Sequence, residues 1–422
     1  MDESNLSLGF VDFESPQWLV TQSVLGRIAN GEGSTPNTLK ELLESIQSTN
    51  WGGDRSMLGL YCMLRQENLE LCGGSKFLSE TLPWVAQQAL KLKEKGLPFN
   101  RSGNPRSYKI SRLHGLSILS CLFLVSTRRP HMLFSPEVVN TPSMQCKFFS
   151  FVNYFCRMHK RSFETDLENQ YLTFERKAVD SKTWQEWKDM SFPMKKVEVF
   201  KDGGIEDYPE PALRVDFANQ FIGGGTLEQG NVQEEIAFTV HPELIISQLI
   251  FEPMLDNEAI LMVGAERFTK HSGYGNRFTY HSKYLDQRNY DEQSRLDSYM
   301  VGIDALELMG RHKEQFQIEL VVRELNKAYA GFEGAKRKIV SGKWGCGIFE
   351  GDPELKSVVQ WVAASRAGND LVISSFGDQR LDLLSDLCDK YQGKDSSVLL
   401  SDLEKTLSEA EEGTLSRLLE CV

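Results

Sequence analysis

Near Lys195 the spacing of apolar residues changes, and that change constrains the fold more than any single motif. Before it, apolar positions follow a helical period. Ser34-Thr35-Pro36 has the form of a helix start, with Pro in the first turn, and Leu39, Leu42, Leu43 and Ile46 then fall at i, i+3, i+4 and i+7. A second helix is predicted from Pro83 to a stop at Gly96, a third over Ile110 to Val125, and a fourth from Phe148 to Met158. After Lys195 the apolar runs shorten and become rich in branched and aromatic residues. VEVF (197–200), LRVDF (213–217), EIAFTV (235–240), AILMVGAERF (259–268), MVGIDAL (300–306) and LVISSFGD (371–378) read as strands. Helical stretches over Glu243 to Phe251, Phe316 to Tyr329 and Glu354 to Ala367 alternate with them. The expected architecture is an all-helical domain over 1–195, an α/β layer domain over 196–390, and an acidic helical tail over 391–422 packing back on the α/β domain. The tail carries a helical period through Leu399, Leu400, Leu403 and Leu407.

Composition narrows the function. The chain of 422 residues is 41% hydrophobic and 25% charged, a mixture that buries cores and argues against global disorder. Its acidic N-terminus lacks the basic start and apolar run of a signal peptide. Its greasiest stretch, Leu116 to Val125, is far shorter than the ~20 residues of a membrane span, so no membrane association is expected. The eight cysteines show no CxxC pair and no zinc spacing, and are expected as free thiols; the histidines are isolated, and no metal site is expected. Net charge is -12, with +3 over residues 1–200 and -15 over 201–422. An acidic chain is a poor nonspecific nucleic-acid binder, so an anionic ligand has to be held by local devices. Residues 101–150, at +6, form the only broad basic stretch. It includes Arg101, Arg106, Lys109, Arg112, Arg128 and Arg129, which either guide an anion or pair with the acidic half.

Two glycine-rich segments concentrate the chemistry: Gly223-Gly224-Gly225, and Gly342-Lys343-Trp344-Gly345-Cys346-Gly347. Neither has the P-loop or dinucleotide spacing, and glycine content alone says only that there are two tight turns. The first segment lies in VDFANQFIGGGTLEQGNVQEEIAF (215–238), which ends in Gln233-Glu234-Glu235. A triple glycine, a short spacer and Gln-Glu-Glu resemble the signature of the poly(ADP-ribose) glycohydrolase family. HPELIISQLIFEPMLDNEAILMVGAERFTKHSGYG (241–275), IDAL (303–306), RELNKAYAGF (323–332), KWGCGIFEGD (343–352) and SSFGD (374–378) resemble its later blocks in the same order. The likeness is strong over 195–380 and weaker around 77–130, where it is similar to the family's helical accessory domain. It implies an α/β fold: a macrodomain-like mixed sheet between helices, with ADP-ribose in a cleft at the strand ends and an N-terminal all-helical accessory domain.

The resemblance also assigns roles. Glu235 matches the general acid/base that cuts ribose–ribose O-glycosidic bonds through an oxocarbenium-like transition state. Glu234 beside it tends to raise the Glu235 carboxyl pKa and keep it protonated near neutral pH, and matches a residue holding ribose hydroxyls. With EIAFTV extended, the two would point to opposite sides, so no covalent glycosyl-enzyme is expected. Asn219 matches a ribose ligand, Asp216 a support of the loop, and Gln233 a further ligand contact. Gly223, Gly224 and Gly225 are expected to aim backbone N–H groups at ligand oxygens. Ile205 and Glu206 match the segment that reads the adenine edge. Tyr274 matches the aromatic that stacks on adenine, and Phe376 one that packs beside it, although an aromatic next to a strand is more often core. Gly345, Cys346, Gly347 and Phe349 match the diphosphate turn, Cys346 as a small residue and not a nucleophile. Lys343 stands where the family is expected to carry Asn, and Glu350 where it carries Gly.

The implied reaction needs no cofactor. The implied partners are poly(ADP-ribose), ADP-ribose and ADP-ribosylated proteins, with no sequence-specific nucleic acid, in a monomer of the nucleus or cytoplasm. The alternatives are a macrodomain that binds ADP-ribose without cutting it, a mono-ADP-ribosyl-protein hydrolase, and a scaffold with an inert macrodomain.

Overall fold

The computed structural model describes residues 13–51, 63–64, 66–71, 76–125, 141–201, 203–209, 211–409 and 413–421. Ten strands are present among them: β1 (Arg106–Ser111), β2 (Tyr171–Ala178), β3 (Val197–Phe200), β4 (Leu213–Ala218), β5 (Glu258–Val263), β6 (Thr269–Ser272), β7 (Thr279–Lys283), β8 (Tyr299–Asp304), β9 (Ile339–Gly342) and β10 (Leu371–Ser374). Eight of them form one mixed sheet in the order β1-β2-β5-β8-β4-β9-β10-β3, and β6 and β7 pair as a separate ribbon. From β8 to β3 neighbours run parallel; from β8 to β1 they run antiparallel. The parallel strands all deliver their C-terminal ends to one edge, where open α/β sheets form ligand crevices.

The first half is not wholly helical. β1 and β2 come from it and extend the same sheet, so the sheet is not confined to 196–390. Residues 106–111 are a strand preceding the helix Arg112–Val125, because their amides pair with β2. A second difference matters more. EIAFTV is not a strand: Gln233–Val240 is an α-helix. Its branched and aromatic residues favour strands only weakly, and here Ile236, Phe238 and Val240 are buried by tertiary packing while Glu235 caps the helix start. The tail is two helices, Ser396–Glu409 and Thr414–Glu420.

Hydrophobic packing lies on both sides of the sheet. One core joins the helices of the first half to Leu172 and Phe174 of β2 and to Phe238, Leu244 and Ile246 after the glycine loop. The other joins Val301 and Ile339 of the sheet to Val358 and Trp361 of the Pro353–Arg366 helix, and to Leu399, Leu403 and Leu418 of the tail. A buried ion cluster crosses the seam between the halves. Arg112 donates through Nη1 to both oxygens of Glu243, at 2.9 and 3.0 Å, and Glu266 accepts from Arg112, Arg157 and Arg161. Arg112 of the basic stretch is therefore a partner of the acidic half; Arg128 and Arg129 lie outside the described residues.

Candidate active site

A cleft of about 2280 Å³ opens at the C-terminal edge of the parallel strands. Ile205, Glu206, Asn219, Gly224, Gly225, Gln233, Glu234, Glu235, Tyr274, Gly345, Cys346, Gly347, Phe349 and Phe376 all line it. Gly223 and Asp216 sit behind this lining. Gly223 is buried beneath the loop, and Asp216 is fully buried on β4.

The Gln233–Val240 helix starts with three side chains that fasten it to β4 and to the glycine loop. Gln233 Oε1 accepts from the Phe217 N–H at 2.8 Å. Glu234 accepts from the Asn219 N–H at 2.9 Å and the Gly223 N–H at 2.5 Å. Glu235 accepts from the Gly225 N–H at 2.9 Å through Oε1 and from the Val232 N–H at 3.0 Å through Oε2. Carboxylates in the first turn also meet the positive end of the helix dipole. Helical geometry, and not strand alternation, separates the two glutamates, so the expected opposite-face argument does not hold.

The triple glycine also departs from expectation. The Gly223 and Gly225 amides go to the glutamates, and the Gly224 amide goes to the Phe221 carbonyl at 3.0 Å. No donor among these three is left for a ligand. Glycine is needed for a different reason. Gly223 and Gly224 have φ of 89° and 45°, and a Cβ on Gly224 would lie 2.6 Å from an oxygen of each glutamate.

Burial pushes the Glu234 carboxyl well above its ordinary range, and the neighbouring Asp216 and Glu235 act in the same sense. Asp216 is raised likewise, first by burial and then by Glu235; among the described residues neither of its oxygens has a hydrogen-bond partner. The second glycine segment is built differently. Among the described residues, the amides of Gly345, Gly347, Ile348 and Phe349 have no hydrogen-bond acceptor, while Cys346 and Glu350 N–H close the turn on the Lys343 and Gly347 carbonyls. This leaves four unspent donors in a turn that lines the cleft, a set suited to a diphosphate. Burial raises the Cys346 thiol, which disfavours a thiolate nucleophile. Lys343 pairs with Asp378 at 3.2 Å, so its charge is partly offset.

Tyr274 and Phe376 are 58% and 63% exposed, and Phe376 has φ of 50°. Neither is a core residue. Glu206 is raised mainly by burial, and His271 lies 3.7 Å from it. The contact is not an ion pair at neutral pH, because burial and Arg267 hold the imidazole down to about 4.

One residue escaped the sequence reading. Lys147, in the Pro142–Arg161 helix of the first half, is buried and donates to the carbonyls of Gly225, at 3.2 Å, and Glu228, at 2.6 Å. Its signal was a lone cation at the head of an aromatic run, KFFSFVNYF, where nothing marks a solvent face.

Comparison with known proteins finds relatives over the region that holds the cleft. The family model described as poly(ADP-ribose) glycohydrolase, macro domain fold, matches residues 184–383. A probable poly(ADP-ribose) glycohydrolase 2 of Arabidopsis thaliana is 34% identical over 275 residues, covering 55% of this chain and 52% of that protein. Poly(ADP-ribose) glycohydrolase 1 of Caenorhabditis elegans is 32% identical over 342 residues, covering 76% of this chain and 42% of that protein. The chain spans about half the length of the curated relatives it matches. Over residues 184–383, in its macro domain fold, its ordered motifs and these relatives, the chain is similar to the poly(ADP-ribose) glycohydrolase family.

Proposed function

We propose that this protein hydrolyses the ribose–ribose O-glycosidic bonds of poly(ADP-ribose), mainly from chain ends, with Glu235 as the acid/base. The observation that carries this is a pair of amide-anchored glutamates in one helix turn at the cleft wall, of which burial holds Glu234 toward its protonated form. Glu234 has both oxygens tied to amides and is held toward its protonated form, so it is a poor nucleophile. Glu235 is anchored by one amide on each oxygen, beside the same cleft. A carboxylate accepts more than one hydrogen bond per oxygen, so Glu235 keeps capacity to serve a substrate. It gives a proton to the leaving ribose oxygen as the glycosidic bond breaks, then takes one from the water that adds to the anomeric carbon. Asp216 has no path to that carbon, because it lies buried behind the lining. A single-carboxylate mechanism without a covalent sugar–enzyme intermediate follows.

The unspent amides of 345–349 would hold the diphosphate, while Tyr274 and Phe376 would stack on the adenosine part. The test is incubation of the protein with purified polymer and separation of the products by size. Free ADP-ribose accumulating from the start is expected; binding of ADP-ribose without turnover would replace the hydrolase by a binding module. Glu235→Gln keeps the shape and the Gly225 bond but cannot relay a proton. It is expected to lose at least ~100-fold of the rate, the scale of general acid–base catalysis, while calorimetry still detects ADP-ribose binding.

A further inference from the structure

The glycine loop is held from below as well as from the helix that carries the glutamates. Lys147 comes from the first half of the chain and has only 2% of its surface exposed. Its ammonium reaches two carbonyls of the loop, Gly225 and Glu228. The Gly225 carbonyl also accepts from the Glu228 and Gly230 amides, at 2.9 and 3.1 Å, so three donors converge on one oxygen. The N–H of this same Gly225 holds Glu235 Oε1. One residue thus links Lys147 to the acid/base. There is no direct ion pair between Lys147 and Glu235 among the described residues, although their charges attract.

We propose that Lys147 is a positioning residue for the reaction: its ammonium fixes the 225–230 turn so that the Gly225 amide holds Glu235 in the reactive orientation. The proposal rests on Glu235 being the acid/base.

A buried ammonium is costly unless it is satisfied, and here its hydrogen bonds are charge-assisted and about twice as strong as neutral ones. Removing the charge weakens the clamp even where the amine stays in place. Burial lowers the pKa of Lys147 to about 8, opposed by Glu235 in the neighbouring helix, by Cys146 on its own helix and by Glu228 in the loop. Cys146 is itself pushed up to about 12 by burial, so its thiol carries no charge near neutrality. The clamp therefore loosens within the range where enzymes are assayed. It also gives the first half of the chain a direct part in the chemistry, beyond covering one face of the sheet.

The experiment uses the full chain with purified poly(ADP-ribose), measuring kcat and KM from pH 6 to 10, with ADP-ribose calorimetry and Glu235→Gln as a control. Parent kcat is expected to fall above about pH 8 as the ammonium loses its proton. Lys147→Met is expected to lose kcat by roughly tenfold or more, with ADP-ribose affinity within about threefold, because a misplaced acid/base affects the reacting state and not ground-state binding. Lys147→Arg keeps the charge and should recover most of the rate, with the alkaline fall moved upward. Loss of binding together with rate would mark a merely structural lysine and overturn the proposal. So would Lys147→Met at parental kcat, or an alkaline fall unchanged in Lys147→Arg. Should Lys147→Met fail to fold, Lys147→Gln is measured in its place, and parental kcat in that variant overturns the proposal. An active Glu235→Gln would instead remove the acid/base assignment itself.

Discussion

The two glycine segments of the cleft look alike in sequence and are opposite in structure. In the first, at 223–225, the backbone donors are consumed by the molecule's own carboxylates and by a loop carbonyl. In the second, around 345–349, four amides remain without acceptors among the described residues. On the proposed function, one segment is a clamp on the catalytic groups and the other a cradle for an outside anion. Glycine serves close approach to Glu234 and Glu235 in the first and ligand access in the second. The acidic half of the chain does not need long-range attraction to grip a diphosphate if local donors do the work.

Adding one methyl group to each segment gives the sharpest break of this comparison. In Gly224→Ala the new Cβ meets both glutamates at 2.6 Å, and the backbone there has positive φ. Displacing the acid/base by such a distance is expected to cost roughly 100-fold in polymer hydrolysis. In Gly347→Ala the Cβ meets nothing within 4 Å. That variant leaves the clamp in place, so kcat at saturating polymer is expected to stay within about twofold of the parent's, with any loss confined to ADP-ribose affinity. Initial rates of ADP-ribose release compare them directly, and equal losses would show that the two segments do not differ as described.

Next in size is the aromatic pair bordering the cradle. Tyr274→Ala is expected to weaken ADP-ribose binding by about 1–3 kcal/mol, the range of base–aromatic stacking, and Phe376→Ala by an amount within the same range. Both side chains are exposed without ligand, so neither loss is expected to lower the melting temperature by more than a degree or two. Unchanged affinity by calorimetry in folded variants would remove the stacking role.

Much of this was legible in the sequence, because strong local patterns coincide with tertiary roles. Pro36 starts a helix as expected, Gly96 terminates one with φ of 71°, and β3, β4, β5, β8 and β10 overlap the predicted runs. EIAFTV misled because its composition suits a strand, whereas the Glu235 bond at the helix start and the bonds of both glutamates to the Asn219 and Gly225 amides, invisible in one dimension, hold it as a helix. β1 and β2 were hidden in a half dominated by helical periods, because RSYKIS runs directly into the helix that follows. The Glu-Glu motif located the site, but which amides each carboxylate takes depends on the folded loop. Lys147 was missed for a similar reason: its partners are backbone carbonyls some eighty residues away, and carbonyls leave no mark in a sequence.

The buried acid behind the clamp gives a smaller effect, with a defined dependence on pH. Asp216 titrates well above its ordinary value when folded and near that value when unfolded. As pH rises through the unfolded pKa, the unfolded chain releases a proton that the folded chain retains. Stability is therefore greatest below that pKa and falls as pH increases toward neutrality. Asp216→Asn removes this penalty without changing the shape. Its melting temperature should exceed the parent's at pH 7 by several degrees and match it more closely at pH 4. A gain independent of pH would place the effect elsewhere.

The smallest effect concerns Glu350, which stands at a position where the family resemblance predicts glycine. Its φ of 63° carries a left-handed cost of about 1–2 kcal/mol for a residue with a Cβ. Its side chain returns part of that cost, since Oε2 accepts from the Gly310 N–H at 2.7 Å and lies 3.5 Å from His312 Nε2. The carboxylate thereby ties the edge of the cradle to the 308–312 segment. Glu350→Gly removes the strain and the bond together, and loosens the unfolded chain as well, so its net change should stay within about 1 kcal/mol. Glu350→Ala keeps the strain and loses the bond, so it should melt below Glu350→Gly. Neither variant removes an amide donor of the cradle, and ADP-ribose affinity should move by less than about threefold in both, as for sites away from the contact. If Glu350→Ala melts above Glu350→Gly, the strain is not what the glutamate offsets. If instead both variants lose affinity strongly, the 308–312 tie holds the donors in place, and the cradle would be as dependent on a carboxylate as the clamp.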